Sequence, residues 1–430
     1  MRIPYCSVSV DFPLVAFTLI IPLCLLLLPG RAKGEELKLI PSLGLKEEYN
    51  DNLFFTEKDK KGDFVTTISP GLELSDRTER LDFNLSGHVR GLIYARNADL
   101  DDVDYDGRGR FSYSLQPNLK FSANGELRKD STPGQVLEPT GLVTSVTTYH
   151  KYLIGSGLDY AWTEKTKTNL SYSYTQYKYD YSQFAGLLNT TTETHDASLG
   201  LIHDLSQYLL NTAVRTSLGY SRYLSHNTTV QYYYGTVGVN RALNEKWTLL
   251  LDIGPSYNQS ELELEGLMGR EKVTQSGTGF FGQATLSYRG EKSTGDLTFN
   301  HRLMPGSGTV GVTENTSLTL GLTYRFTYEL SGRLSTGFYM NKAARGKYSI
   351  AGLDEITFNI NPVIRYEFTK DFAVEASYSY YWVKDKLADA ERARNLFMVN
   401  FIFQYPIINP VVALSSVPEF IKSLTREGRP

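Results

Sequence analysis

Asn395–Tyr405 reads NLFMVNFIFQY. Phe397, Val399, Phe401, Phe403 and Tyr405 recur at every second residue, which on an extended strand puts five large apolar side chains on one face. A helix would scatter them around its circumference. A stretch of about 11 residues is also the length of a strand that crosses a bilayer at a tilt. An antiparallel sheet persists in lipid only if it closes, because an open edge leaves backbone amides unpaired in hydrocarbon. The stretch therefore predicts the closing strand of a barrel, paired with the first strand of the chain. The same five residues have the form of a C-terminal signal read by the outer-membrane assembly machinery, although residues 406–430 follow Tyr405.

The rest of the chain repeats the pattern. Segments of alternating hydrophobicity begin at Leu37–Tyr49 and continue through Phe64–Asp76, Leu81–Arg96 and Val103–Leu115 to Phe372–Lys384 and Arg394–Tyr405. Short connections such as Arg77–Arg80 and Gln116–Asn118 alternate with longer ones such as Asn50–Asp63 and Ser131–Thr147. The fold class predicted is all-β, a transmembrane antiparallel up-and-down barrel of about 18 strands, with 16 as the alternative. In Ser317–Tyr328, Leu318, Leu320, Leu322, Tyr324, Phe326 and Tyr328 oppose Ser317, Thr319, Gly321, Thr323, Arg325 and Thr327. Three features place lipid outside and water inside. The strands exceed the roughly 5–6 residues usual in sandwiches, about 18 strands enclose more space than side chains fill, and aromatics gather at strand ends. Trp162 and Trp247 flank short turns, while Trp382, the tyrosines of Tyr172–Tyr181 and those of Tyr232–Tyr234 approach the longer connections.

The N-terminus has the layout of a secretory signal: Arg2, an apolar run Leu14–Leu28, and small residues at Ala32–Gly34. Cleavage after Gly34 is expected, with residues 35–405 as the barrel and 406–430 as a periplasmic tail, both chain ends being periplasmic. Cys6 and Cys24 both precede that cut, so disulfides and thiolate ligands are not expected in the mature chain. The whole chain has a formal net charge of −3, and no basic excess points to nucleic acid. In the tail, Ser416–Glu419 has capping-box form ahead of Phe420, Ile421 and Leu424, consistent with a short helix or with a disordered end. Leu396, Met398 and Ile402, on the second face of the closing strand, are unusually apolar for a lumen, which suggests that the tail or a partner covers them.

Functional material lies on the polar face. By parity, Arg90, Arg108, Arg110, Arg128, Arg215, Arg302, Arg325, Arg333 and Arg365 point inward together with Glu367 and Glu375. Lys38, Lys46 and Lys120 share that face, as do Glu73, Asp82, Asp104, Asp106, Glu126, Asp159 and Asp252. Opposite charges on adjacent strands of a wet lumen either set the ionic preference of a pore or pair off and keep the wall soluble. His195–Asp196 and His203–Asp204 put a carboxylate beside a histidine, but consecutive strand residues face opposite ways, so no catalytic triad is read here. No phosphate-binding glycine loop, haem motif or metal cluster is recognised in the sequence, so neither enzymatic activity nor a cofactor is expected.

Tyr49–Leu53 (YNDNL), the charged connection after it, then Asp63–Val65 and Ile68–Leu72 (ISPGL) resemble the opening of the type 2 β-barrel porin family. Its members are outer-membrane proteins that accompany exopolysaccharide-export and PEP-CTERM systems. The resemblance implies an outer-membrane conduit for a polysaccharide, working with a periplasmic polysaccharide-export protein, with inward Tyr94, Tyr339 and Tyr381 as rungs for sugar rings. A general or mildly selective diffusion porin for small solutes is the alternative, and a structural sleeve for a partner protein a third.

Overall fold

The protein is represented by a computed structural model that describes residues 37–132, 148–180, 191–225, 228–266, 269–305, 312–343 and 352–408. The expected signal peptide and the expected tail helix lie outside the described residues. The strands are β1 Lys38–Asn50, β2 Asp63–Arg77, β3 Leu81–Tyr94, β4 Asp102–Gln116, β5 Leu119–Asp130 and β6 Tyr149–Ala161. They continue with β7 Thr166–Tyr179, β8 Thr191–Asp204, β9 Thr212–Ser225, β10 Thr228–Ala242, β11 Trp247–Gly266 and β12 Gly269–Arg289. The last six are β13 Ser293–Pro305, β14 Val312–Arg325, β15 Leu330–Ala343, β16 Leu353–Thr369, β17 Phe372–Asp385 and β18 Ala390–Gln404. Each pairs antiparallel with its successor, and β1 pairs with β18 from Ser42↔Gln404 to Asn50↔Leu396, closing the ring. Eighteen spanning strands, not sixteen, make up the described barrel.

The closing register does not stop at Tyr405. Ile407 and Ile408 pair with Leu39 and Lys38 in the same register, so the seam continues two residues past Pro406 into the segment read from sequence as tail. Lys38 also lies opposite Ser75, beside the tight β2–β3 turn, so both ends of the ring leave from the rim that carries the short turns. We call this the turn rim and the opposite one the loop rim.

Strand boundaries differ from the sequence expectation by a few residues, as at β18, which begins at Ala390 instead of Arg394. β14 stops at Arg325 because Phe326–Glu329 forms the turn, in which the Thr327 hydroxyl accepts from the amides of Glu329 and Leu330. Phe326 and Tyr328 thus belong to the rim. β9 begins at Thr212, and the turn before it ends on Asn211 at a positive φ of 53°. Asparagine tolerates that conformation better than most residues.

The outer face is an apolar belt. Leu218, Val237 and Ile253 are 65%, 61% and 56% exposed on three successive strands, and Phe397, Val399, Phe401, Phe403 and Tyr405 also point outward and are exposed. Aromatic rings border the belt at the turn rim. Tyr366, Phe368, Phe372 and Phe403 form a chain of contacts with centroids 4.7, 5.3 and 4.6 Å apart, and Trp247 packs on Tyr288 at 4.9 Å. Removal of such a surface from water would be favourable by ~25 cal/mol per Å². Part of the aromatic reading needs correction: Tyr177, Tyr179, Tyr232 and Tyr234 face the lumen, while Tyr172, Tyr174 and Tyr233 between them face out. Strand alternation splits every tyrosine run across both faces.

Some ladders skip a pair of rungs at a proline, and one of these gaps brings two backbones unusually close. The β10–β11 ladder skips from Tyr234↔Ser256 to Val237↔Ile253, leaving Gly235, Thr236, Gly254 and Pro255 out of it. Pro255 has no amide to donate, and a Cβ on Gly254 would overlap the carbonyl of Gly235. Beyond this gap β11 and β12 stay paired with each other all the way to Gly266↔Gly269, whereas the β12–β13 ladder ends at Gly282↔His301. Gly254→Val should therefore destabilise the barrel by about 2 kcal/mol through overpacking, read as a lower urea midpoint in detergent. Gly321→Val, where an added Cβ meets nothing within 4 Å, should change it by no more than about 0.5 kcal/mol.

Candidate functional site

The cross-strand registers carry one inward face around the ring. Starting from the outward Leu43 and Leu45, the pairings place Arg90, Arg108, Arg110, Arg128, Arg215, Arg302, Arg325, Arg333, Arg365, Glu367 and Glu375 on the lumen side. The structure gathers them into separate groups. The densest covers β3 to β6, where Arg90 Nε lies 3.7 Å and His88 Nδ1 3.4 Å from Asp106. Glu126 receives three cations, with Arg108 at 3.8 Å and Arg128 and Lys151 both at 3.0 Å. Arg110 lies opposite Asn124 rather than an acid.

A second group lies near the turn rim. Arg365 bonds Glu375 at 2.9 Å and Glu367 at 3.0 Å, so that guanidinium is fully compensated. Arg325 stands opposite Ser331, and Arg333 stands between Thr323 and Val363. Neither has a carboxylate partner among the described residues, and both are exposed to the lumen. On the facing wall Arg215 reaches Asp252 at 3.5 Å across Gly238, where a Cβ would strike the Asp252 carboxylate. Arg302 sits apart from both groups, at the end of β13 beside a cavity of ≈ 430 Å³.

The segment between β1 and β2, read from sequence only as a charged connection, turns its apolar residues inward. Leu53 is buried with Val65, Leu92 and Tyr94 on the inner face of β2 and β3. Two residues on, Phe55 is buried against the opposite side of the seam, 5.2 Å from the Arg394 guanidinium and 5.9 Å from that of Arg392. Arg394, itself 1% exposed, also faces the ring of Tyr381 at 5.1 Å. Asn52 ties the segment down, its Nδ2 donating to the carbonyls of Thr56 and of Ala393 on β18. Lys58, Asp59 and Lys60 remain exposed. The segment thus narrows the lumen at the loop rim.

This arrangement revises the sequence reading at several residues. Of the three tyrosines proposed as rungs, Tyr94 is buried beneath Leu53 and Tyr381 is held against Arg394, leaving Tyr339 half-buried on the wall. Leu396 is buried and Met398 and Ile402 half-buried, while the tail suggested as their cover lies outside the described residues. Sequence reasoning passed over Arg392, Arg394 and Phe55, although an NDNLFF stretch with two adjacent aromatics among charges was visible. It also passed over His88, whose partner Asp106 comes from the neighbouring strand and so depends on register.

Cation–π contacts in desolvated settings contribute about 2 kcal/mol, and Arg394 makes two of them. Arg394→Ala should release Phe55 and the segment around it, raising single-channel conductance and its open-state noise in planar bilayers while the barrel still folds.

No family model matches the chain and no curated protein matches it, so the resemblance to type 2 β-barrel porins is not extended beyond its opening strands. Among solved structures the chain is similar to OccAB4 of Acinetobacter baumannii, at 11% identity over 88% of this chain and 100% of that one, with a TM-score of 0.42. It is similar to OccK2 (OpdF) of Pseudomonas aeruginosa, at 10% identity over 88% and 99% of the two chains, with a TM-score of 0.42. The alcaligin outer-membrane receptor FauA of Bordetella pertussis is similar at 13% identity over 85% and 76% of the chains, again with a TM-score of 0.42.

Proposed function

We propose that this chain spans a bacterial outer membrane as a passive, mildly selective channel for small hydrophilic solutes. The observation that carries the reading is a charged, wettable inner face enclosed by an exposed apolar outer belt, with the β1–β2 segment folded inward across one end. An apolar outer surface of this kind calls for hydrocarbon around it, and a charged lumen for water. Short turns and both ends of the described ring, Lys38 and Ile408, on one rim match the usual layout of such barrels, so the turn rim is taken as periplasmic. In this setting the outward row Phe397, Val399, Phe401, Phe403 and Tyr405 serves as the assembly signal.

Export of an exopolysaccharide, the function implied by the family resemblance, is the less favoured reading. A polymer conduit needs an unobstructed bore with free aromatic rungs, whereas the inward segment occupies the loop rim and two of the three candidate rungs are engaged. The two readings separate in reconstitution. The channel should conduct KCl and admit mono- and disaccharides in liposome swelling. Exclusion of such sugars, together with loss of surface polymer in a deletion strain, would favour export and a periplasmic partner.

Field at the turn rim should set ionic preference. Arg325→Gln with Arg333→Gln removes two uncompensated charges and should shift the zero-current potential in a KCl gradient toward cation selectivity. Arg365→Gln with Glu375→Gln removes one charge of each sign and should leave it nearly unchanged.

A further inference from the structure

Gly254 and Pro255 lie opposite Phe281 and Phe280 of β12, and it is there that the ladder from β12 to β13 ends. Phe281 on β12 and Arg302 on β13 would be the next rung after Gly282↔His301, but the ladder has ended. β13 stays with β14 as far as Pro305↔Val312, and the end of this hairpin leans across the lumen. Leu303 and Val312 pack against Tyr223, Val230 and Tyr232 of β9 and β10, and the Tyr223 hydroxyl donates to the Leu303 carbonyl at 3.2 Å. β12 goes the other way with β11.

The parting lies within the apolar belt. On the outer face Tyr220, Tyr233 and Tyr257 form an aromatic row, and Tyr257 stands opposite Thr278 of β12. Phe280 and Phe281 are nearer the turn rim than that row, so the ladder ends on the lipid side of it. Phe280 faces out, half exposed, and stacks on His301 at 4.0 Å and 13°. Phe281 faces in and stacks on Tyr234 at 4.7 Å and 10°. Phe280 thus covers the outer face of the opening through its stack on His301, and Phe281 stands on the inner face.

Behind the opening is the ≈ 430 Å³ cavity, within the size range of small-molecule sites. Its wall combines the Tyr234–Phe281 stack with Leu303 and Met304, and its cation is Arg302. Asp196 also lines it but already accepts from the Ser221 hydroxyl, and Arg302 has no carboxylate within ion-pair distance among the described residues. Aromatic and aliphatic side chains on one part of the wall, hydroxyl groups such as Ser198 and Ser221 on another, and a guanidinium with no ion-pair partner suit a molecule with a hydrophobic body and a carboxylate head.

We propose that the gap between β12 and β13 is a side opening through which an amphipathic carboxylate, a medium-length acyl or aryl acid, passes between the lumen cavity and the membrane. The proposal rests on the membrane-spanning reading above. From residue 37 onward the chain has no cysteine, so a pair introduced as Gly279→Cys with Met304→Cys is unique and spans the gap. The test joins that pair with a bis-maleimide in lipid vesicles and photolabels with a dodecanoate carrying a diazirine in its tail, dissolved beforehand in the bilayer. In the unjoined protein, mass spectrometry should find label on Tyr234 and Phe281 as well as on Phe280. Joining should cut the Tyr234 and Phe281 label at least tenfold, yet leave intact the label from a short, water-soluble aryl carboxylate diazirine given from the aqueous phase. Arg302→Gln should lower both lumen labels at least fivefold. Loss of both labels on joining, or of neither, overturns the side opening, as does lumen labelling indifferent to Arg302→Gln. KCl conductance of the unjoined protein reads the channel separately, so a silent bilayer would sink that function without deciding the labelling result.

Discussion

Every peptide group in a sheet surrounded by hydrocarbon needs a partner, and only a ring supplies one to each strand. The pairing of Ser42–Asn50 with Leu396–Gln404 meets that demand by joining residues almost the whole chain apart. Strand length, the even count and the shared rim for both ends of the described ring are consequences of the same closure. An unpaired amide in lipid costs several kcal/mol, far more than any single side-chain contact on either face. The side chains are left free to vary so long as they keep their parity.

That freedom explains how the inner wall is made. The ladder of ion pairs around Glu126 and Asp106 is half-buried, so desolvation offsets much of its Coulombic gain. Its effect is electrostatic: alternating charge on β3–β6 contrasts with the uncompensated Arg325 and Arg333 at the turn rim and with the aromatic sector around Tyr234 and Phe281. The lumen is therefore three surfaces of different chemistry around one axis. Small residues separate them where side chains must cross, as at Gly238 between Arg215 and Asp252.

Much of the barrel was legible in the chain because period-two alternation is a local signal. The eighteen strands, the inward parity of the named arginines and the role of Asn395–Tyr405 as seam all follow from it. What was not legible depends on register and on departures from it. The pairing of His88 with Asp106 requires knowing which residue of β4 lies opposite β3. The inward fold of Leu53 and Phe55 requires the inner faces of β2, β3, β17 and β18 to exist first. Gly254–Pro255 was present as two residue types that weaken strands, but that they lie opposite Phe280 and Phe281, where the β12–β13 ladder ends, depends on register. Tyrosine runs misled for the opposite reason: clustering in sequence suggested a common girdle, and alternation divided them.

Phe55 belongs to the first connection of the chain, while Arg392 and Arg394, which hold it, belong to the last strand. A truncated ribbon that lacks its final residues therefore lacks both the seam and the cations that hold Phe55, while Leu53 keeps its partners on β2 and β3. One strand thus completes the wall and seats the aromatic that narrows its mouth.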